Sequence, residues 1–360
     1  MSLEIARSKK ISTAQFERVS NNLRSVFLLA LLFFLVFLFI TFAIPPRCAH
    51  DGYFAALKDK HRILKNTTSP KIVFIGGSNL AFGLDSSLIE KKLHMPVVNM
   101  GICAPFGLRY ILEEVKDNVN PGDIIVIVPE YGMLQNIVDC TADLMHTPEV
   151  YPPALLFILR AYTTSPQSFF KLLELTRSMP TAKWSAFHTI LTNMWQQGYY
   201  DAATVEHWEI KNQIGPATRY YFDKHGDYFG HFGRPHLAFS PNWEIISKMA
   251  PEATDLINNF NTCVAKRGAK AVMIPSPIPS DDLLPGRCSA NSIANWPGQS
   301  LSLPVLARPQ RYAFAYNMFY QPPYHLNIEG RTIRSALMAE DLGRFLSSSN
   351  SHSNSVKLSN

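Results

Sequence analysis

The longest run of apolar positions lies near the start of the chain. Residues 26–44, VFLLALLFFLVFLFITFAI, are nineteen positions without a charged side chain. A helix rises about 1.5 Å per residue, so this segment would span roughly 28 Å, close to the hydrocarbon thickness of a bilayer. A signal peptide has a shorter apolar core and a cleavage site of small residues, whereas Pro45-Pro46 follows directly here. The pattern therefore predicts an uncleaved transmembrane anchor over 26–44.

The basic residues around this segment give it a small orientational bias. Five Lys or Arg residues precede it, and four follow it up to residue 62. Positive residues concentrate on the cytoplasmic side of membrane spans. The excess therefore favours a cytoplasmic tail over 1–25, and the long part that follows suits an exported domain.

After a polar stretch at 45–70, which we interpret as a stalk, short apolar runs alternate with helical patterns. The runs typical of buried strands are KIVFI (71–75), PVVNMGI (96–102), DIIVIVP (123–129) and AVMIP (271–275). Helices are predicted over 86–93, 108–119, 251–267 and 328–346. Strands that are apolar on both faces and alternate with helices predict an α/β fold with a mostly parallel, doubly covered sheet.

Residues 132–250 follow a different pattern within this α/β domain of 71–346. They are rich in aromatic residues, contain no clear strand run, and carry helical patterns at 154–162, 168–177 and 184–197. We interpret them as a helical, aromatic insertion. The Ser- and Asn-rich end of the chain, 347–360, is predicted to be a disordered tail.

Composition and charge exclude several classes of protein. The 360 residues carry 34 Lys and Arg against 28 Asp and Glu, and no block of five like charges occurs, which disfavours nucleic-acid binding. A hydrophobic content of 47% excludes a disordered chain. The five cysteines form no C-x-x-C pair, and the His and Asp residues of 222–236 match no zinc-binding spacing. We therefore expect no cofactor, no metal and no nucleic-acid partner.

Candidate chemistry lies at the carboxyl ends of the predicted strands, where open α/β sheets bind their ligands. A Ser on a glycine-rich turn before a helix, as at Ser78, has an exposed hydroxyl and a backbone amide that can face an oxyanion. It lacks a neighbouring base. His325, at the start of the last helix, is the natural supplier if the fold brings the two ends of the chain together.

Three blocks, IGGSNLAFG (75–83), NMG (99–101) and HLNIEG (325–330), together resemble the SGNH, or GDSL-like, hydrolase superfamily. The likeness is greatest to its membrane-anchored bacterial members, which accompany envelope-polysaccharide and acyl-transfer systems. The resemblance implies a three-layer α/β/α flavodoxin-like sandwich. It also implies that Ser78 is the nucleophile, that His325 is its general base, and that the amides of Ser78 and Gly101 form the oxyanion hole.

The chain would then be a serine esterase or O-acyltransferase of the bacterial cytoplasmic membrane, with its main domain in the periplasm. Its implied partners are the lipid bilayer, through 26–44, and an acylated glycan or lipid as substrate. An integral-membrane acyltransferase is a further candidate partner.

Three positions depart from the family pattern. Gly77 stands where an Asp usually precedes the nucleophile, and Glu130 lies where an Asn would donate to the oxyanion. Pro322 replaces the Asp expected three residues before the His, with Gln321 beside it. A carboxylate facing an oxyanion is repulsive unless it is protonated or turned away. Asp281 and Asp282, in a polar loop, are an alternative source of the missing carboxylate.

These departures leave a second hypothesis open. The chain could be a catalytically inactive scaffold of the same fold that binds a glycan or a membrane partner protein through the cleft. The residues expected to line that cleft are Gly77, Asn79, Glu130, Tyr131, Gln321 and Asn327.

Overall fold

The computed structural model describes residues 13–43, 52–135, 137–176, 218–237, 249–283 and 300–357. Its centre is a four-stranded, wholly parallel sheet with the strand order β2-β1-β3-β4. Its strands are β1 (Ile72–Gly76), β2 (Val97–Asn99), β3 (Ile124–Val128) and β4 (Lys270–Met273). Two further pairs of short strands are β5 (Ile278–Pro279) with β6 (Ala313–Phe314), and β7 (Phe319–Gln321) with β8 (His325–Leu326). The predicted α/β fold with a mostly parallel sheet is confirmed.

Ten α-helices accompany these strands in the described ranges. They are α1 (Thr13–Ala43), α2 (Ala56–Asn66), α3 (Ser78–Gly83), α4 (Ser86–Leu93), α5 (Leu108–Val115), α6 (Thr147–Val150), α7 (Ala154–Tyr162), α8 (Pro166–Thr176), α9 (Pro251–Lys266) and α10 (Ile328–Lys357). Helix α4 begins as its sequence predicts, because the Asp85 side chain accepts a hydrogen bond of 3.0 Å from the Leu88 amide. The helix predicted over 184–197 lies outside the described residues.

Both faces of the sheet are buried. Successive residues of a strand point to opposite faces, and the two sets here belong to separate hydrophobic clusters. Val73 and Ile125 pack in one cluster with residues of α2, α5 and α9. Phe74 and Val126 pack in the other with residues of α4 and α10. This arrangement explains why the strands are apolar at nearly every position.

Helix α1 contains the candidate membrane anchor. Among the described residues it is the one helix that is long and apolar enough to cross a membrane, through its Arg18–Val36 segment, and none of that segment is buried by the rest of the protein. The helix begins at Thr13, so the tail predicted over 1–25 is partly helical.

Residues 53–66 differ from the predicted stalk of 45–70. They form a 3-10 turn (Tyr53–Ala55) and α2, which packs its apolar face into the core and fully buries Leu57. Lys60 is also buried, because its ammonium group donates to the carbonyl oxygens of Asn99 at 2.8 Å and Gly226 at 2.5 Å. The polar composition of this segment therefore does not indicate a stalk, because its buried lysine forms hydrogen bonds inside the protein. The stalk prediction is wrong for residues 53–66.

The predicted disordered tail of 347–360 also differs, because α10 continues as far as Lys357. Ser and Asn cost only about 0.5 kcal/mol each in a helix relative to Ala. Extending an existing helix avoids the cost of nucleation. The helix that begins in the packed first half of α10 therefore continues into the tail, which the Ser- and Asn-rich composition of the tail does not indicate.

The burial of α2 gives a test of the fold. Leu57→Ala should lower the free energy of unfolding by about 2–5 kcal/mol, because it leaves a cavity in the core. Lys58→Ala, at the next and exposed position, should change it by less than about 0.5 kcal/mol. Denaturant unfolding of both variants measures the difference. If both substitutions have equally negligible effects on the free energy of unfolding, the prediction of a stalk would hold for this segment.

Candidate functional site

Ser78 is the first residue of α3, on the sharp turn that follows β1. A Cβ atom on Gly76 would overlap the Val128 carbonyl oxygen, and one on Gly77 would lie 2.5 Å from Glu130 Oε1. The backbone contact at Gly76 requires glycine. At Gly77 a larger side chain would have to displace the Glu130 carboxyl group, and its Cβ would lie 2.9 Å from the Ala104 Cβ.

The structure brings Ser78 and His325 together from opposite ends of the chain. Ser78 Oγ lies 2.9 Å from His325 Nε2. His325 is in β8, which pairs with β7 and places the imidazole over the turn after β1. A hydroxyl and an imidazole at this separation satisfy the geometric requirement for a nucleophile and its general base.

Gln321 occupies the position of the missing carboxylate. Its side chain is opposite His325 in the β7–β8 pair, with Oε1 3.0 Å from His325 Nδ1. A carbonyl oxygen only accepts, so Nδ1 donates, and the Nε2 lone pair is left facing Ser78. Since Ser78 and Gln321 take both ring nitrogens, neither Asp281 nor Asp282 serves as the carboxylate partner.

The imidazole lies in an apolar environment. Its ring stacks on Phe82 with the centroids 4.1 Å apart. Burial lowers the pKa of His325 to about 4, so the ring is neutral at pH 7. The ring of His231 also packs against Phe82, at 5.0 Å, and its Nε2 bonds to the Leu326 carbonyl oxygen at 3.1 Å. Burial, together with the charge of His325, lowers the pKa of His231 to about 3.

Glu130 is the second close neighbour of Ser78. Its Oε1 lies 2.9 Å from Ser78 Oγ and accepts a hydrogen bond from the Asn79 amide at 2.9 Å. Burial raises the pKa of Glu130 above its ordinary value, despite these hydrogen bonds, which favour the ionised form. Ser78 Oγ is therefore flanked by an imidazole and a carboxyl group at equal distances.

The two amides expected to bind an oxyanion differ in availability. Within the described residues, the Ser78 amide has no hydrogen-bond acceptor. The Gly101 amide donates to Asn99 Oδ1 at 2.9 Å. Gly101 itself is required for packing, because a Cβ there would overlap Leu80 and the Gly77 carbonyl oxygen. Its amide would have to leave Asn99 before it could bind a ligand.

The other predicted cleft residues have supporting positions. The Asn79 side chain donates to the Val128 carbonyl oxygen at 3.0 Å and is buried. Tyr131 is buried and donates its hydroxyl to the Ser276 carbonyl oxygen at 3.2 Å. The side-chain oxygen of Asn327 accepts from the Gly330 amide at 3.0 Å, which stabilises the start of α10.

Two polar residues that no local sequence pattern indicates support the site. Asp227, from the segment 218–237, is buried and accepts hydrogen bonds from both the amide and the hydroxyl of Ser86 and from the Asn99 side chain. Arg334, in α10, is completely buried and binds Asn79. Each partner lies more than a hundred residues away in the chain, so no local pattern indicates these roles.

The His and Asp side chains of 222–236 take part in hydrogen bonds and ion pairs. No group of three or more His, Cys, Asp or Glu residues with metal-binding geometry occurs in the part of the chain that the structure describes. His225 instead lies 3.3 Å from the Glu90 carboxyl group, and Asp227 serves the network above.

The environment of His325 predicts an unusual titration. NMR of isotope-labelled histidines in the whole protein should show two imidazoles, His231 and His325, that stay neutral down to about pH 4, and the pKa of His325 is that of the signal lost in His325→Ala. Gln321→Glu should raise this pKa, because a carboxylate at Nδ1 favours the imidazolium. Gln321→Ala adds no charge, so the pKa of His325 in this variant should stay below its value in Gln321→Glu. A wild-type midpoint near the ordinary imidazole value of about 6.5 would contradict this environment.

Comparison of the chain with protein-family models, with curated proteins and with solved structures found no match. Its function is therefore inferred from the geometry of the site.

Proposed function

We propose that this chain is a membrane-anchored serine acyl-enzyme of the SGNH type, an acyl-ester hydrolase or O-acyltransferase of envelope polysaccharide or lipid. The observation that carries the proposal is the aligned set of three side chains, with Ser78 Oγ 2.9 Å from His325 Nε2 and His325 Nδ1 3.0 Å from Gln321 Oε1. The strand order β2-β1-β3-β4 and the burial of both sheet faces support a flavodoxin-like three-layer sandwich.

In the proposed reaction, Ser78 Oγ attacks the acyl carbonyl carbon while its proton passes to His325 Nε2. The Ser78 amide donates to the oxyanion that forms. The bond to the leaving alcohol breaks as that oxygen takes the proton from His325. Water or a sugar hydroxyl then gives its proton to His325 and attacks the acyl-enzyme. The bond from the acyl carbon to Ser78 Oγ breaks, and His325 returns the proton to Ser78. The same groups serve hydrolysis and transfer, which differ only in the acceptor.

Gln321 performs part of the work of a catalytic carboxylate. Replacing the carboxylate by an amide costs on the order of 10⁴ in turnover where the amide leaves the imidazole in the wrong tautomer. Here Gln321 presents its oxygen to Nδ1, which retains the correct tautomer. The loss is then limited to the missing charge that would stabilise the imidazolium.

The path of the chain supports a substrate at the membrane surface. Tyr53 packs on Phe82 with the ring centroids 6.3 Å apart, and Phe82 stacks on His325. Helix α1 ends at Ala43, and the nine residue steps from there to Gly52 reach about 32 Å at most. An anchor in the bilayer would therefore hold the site close to the membrane, within reach of a lipid-linked acyl group or an integral-membrane acyltransferase. We place the domain on the periplasmic side.

An inactive scaffold that binds a glycan or a membrane partner is the second candidate. Two observations favour it: Glu130 lies as close to Ser78 Oγ as His325 does, and the Gly101 amide is engaged by Asn99.

Acyl-enzyme chemistry is tested with the whole protein in detergent, p-nitrophenyl acetate and a fluorophosphonate probe. Ser78→Ala and His325→Ala should abolish probe labelling and reduce turnover to background. Ser87→Ala, on the neighbouring helix, should retain both. Because the general base must be neutral and burial lowers the pKa of His325 to about 4, wild-type kcat/KM should remain high down to about that pH. Folded variants that are all as inert as the wild type would favour the scaffold.

The short connection to the anchor is tested by lengthening it. A Gly/Ser insertion of about 30 residues after Pro46 would add an average reach of roughly 30 Å and dilute the site at the membrane. In proteoliposomes, hydrolysis of a fluorogenic lipid ester should fall several-fold, while hydrolysis of p-nitrophenyl acetate should not change. Equal rates on the lipid ester would contradict the proposed surface substrate.

A further inference from the structure

The positions of the hydrogen atoms around Ser78 indicate whether the Glu130 carboxyl group is protonated. Ser78 Oγ carries one hydrogen but lies 2.9 Å from both His325 Nε2 and Glu130 Oε1. Gln321 requires a hydrogen on Nδ1, so in the neutral ring Nε2 carries a lone pair and accepts the Ser78 hydrogen. An ionised Glu130 would then direct its own lone pairs at those of Ser78 Oγ. A protonated Glu130 resolves the conflict by donating to Ser78 Oγ.

The surroundings of Glu130 favour the protonated form. The carboxyl group is buried, and the one cation that lowers its pKa is Arg334, whose guanidinium is bound to Asn79 and the Gly83 carbonyl. Other titratable groups near Glu130 among the described residues lie in the 3-10 turn that begins at Tyr53, in the loop after β2 and in the β7–β8 pair. They are Tyr53, Cys103, Tyr324 and His325, all uncharged at pH 7 because burial raises the pKa of the first three and lowers that of the last.

Of the oxyanion donors that the resemblance implies, only one is available in the described part of the chain. The Ser78 amide is available, but the Gly101 amide donates to Asn99, and the Asn side chain of the family pattern is replaced by Glu130 itself. A carboxylic acid kept neutral by burial is an effective hydrogen-bond donor to a developing oxyanion. Glu130 Oε1 is within hydrogen-bond distance of Ser78 Oγ, which becomes bonded to the carbon that bears the oxyanion.

We propose that Glu130 in its acid form is the second oxyanion donor of this site, together with the Ser78 amide. The inference rests on the proposed function. As Ser78 Oγ bonds to the acyl carbon, the Ser78 proton moves to His325 Nε2 and the carbonyl π pair moves to oxygen. The Glu130 O–H rotates from Ser78 Oγ to that oxygen. When the intermediate collapses, the C=O bond re-forms, the bond to the alcohol breaks, and His325 returns the proton to the leaving oxygen. Glu130 keeps its proton throughout.

Two substitutions at Glu130 in the whole protein test this assignment. Glu130→Ala should lower kcat/KM for p-nitrophenyl acetate by about 10²–10³, the usual cost of losing one oxyanion donor. Glu130→Gln is neutral at every pH, but an amide nitrogen at the Oε1 position would face the Asn79 N–H, so its kcat/KM near pH 7 should lie between those of wild type and Glu130→Ala. Wild-type activity should fall as the pH rises through the raised pKa of Glu130, and Glu130→Gln should lose this alkaline limb. Ser78→Ala provides the background at each pH.

A second measurement does not depend on turnover. The infrared difference between wild type and Glu130→Gln at pH 7 should contain the carbonyl band of a protonated carboxylic acid, and its absence would overturn the assignment. In an active wild type, a kcat/KM that rises with pH through the pKa of Glu130, instead of falling, would overturn it too, and would indicate that Glu130 acts as an ionised base. Absence of Ser78-dependent turnover in the wild type would instead overturn both this assignment and the proposed function.

Discussion

The buried guanidinium of Arg334 is the interaction on which the geometry of the site depends. Nη1 donates to the Asn79 carbonyl oxygen at 2.7 Å and Nη2 to the Asn79 side-chain oxygen at 2.8 Å. These bonds join α10, which begins just after His325, to α3, which begins at Ser78. Burial lowers the pKa of Arg334 to about 10, so the group remains charged at pH 7, and the loss of any acceptor would leave a buried charge unsatisfied. The two ends of the chain are therefore held in one register.

A second buried polar network secures the neighbouring strand end. Asp227 joins Ser86 at the start of α4 to the Asn99 side chain, and Arg331 of α10 donates to the same carboxyl group at 3.1 Å. Asn99 in turn holds the Gly101 amide. Fully satisfied networks of this kind rigidify a core, because any displacement breaks several hydrogen bonds in a medium of low dielectric constant. The segment 218–237 is thus part of the support of the site.

The sequence was sufficient for the features that depend on local pattern. Apolar runs located the four central strands, and glycine spacing located the turn that carries Ser78. Sequence patterns failed where polar residues are buried. The composition of α2 is polar, yet its Lys60 and His61 are buried in the folded domain. The sequence also did not indicate the hydrogen-bond partners of Gln321 and Glu130, since it shows only that these residues lie near positions where the resemblance implies others. Residues far away in the chain determine which atom each side chain presents. They also determine whether a carboxyl group is buried away from water.

The groups around Ser78 share one physical constraint. Charge is costly where Ser78, Phe82 and His325 pack: the partner of His325 Nδ1 is an uncharged amide, burial lowers the pKa of His325, and burial raises the pKa of Glu130. With Glu130 in its proposed acid form, the site around Ser78 is uncharged. In the proposed reaction an imidazolium and an oxyanion would form together a few ångströms apart, and their attraction would be strong because little water screens it. The oxyanion would then supply the negative charge that the carboxylate supplies in a Ser-His-Asp triad. A permanent carboxylate at Gln321 would raise the basicity of His325, but it would also bring a charge into a site whose other groups are neutral.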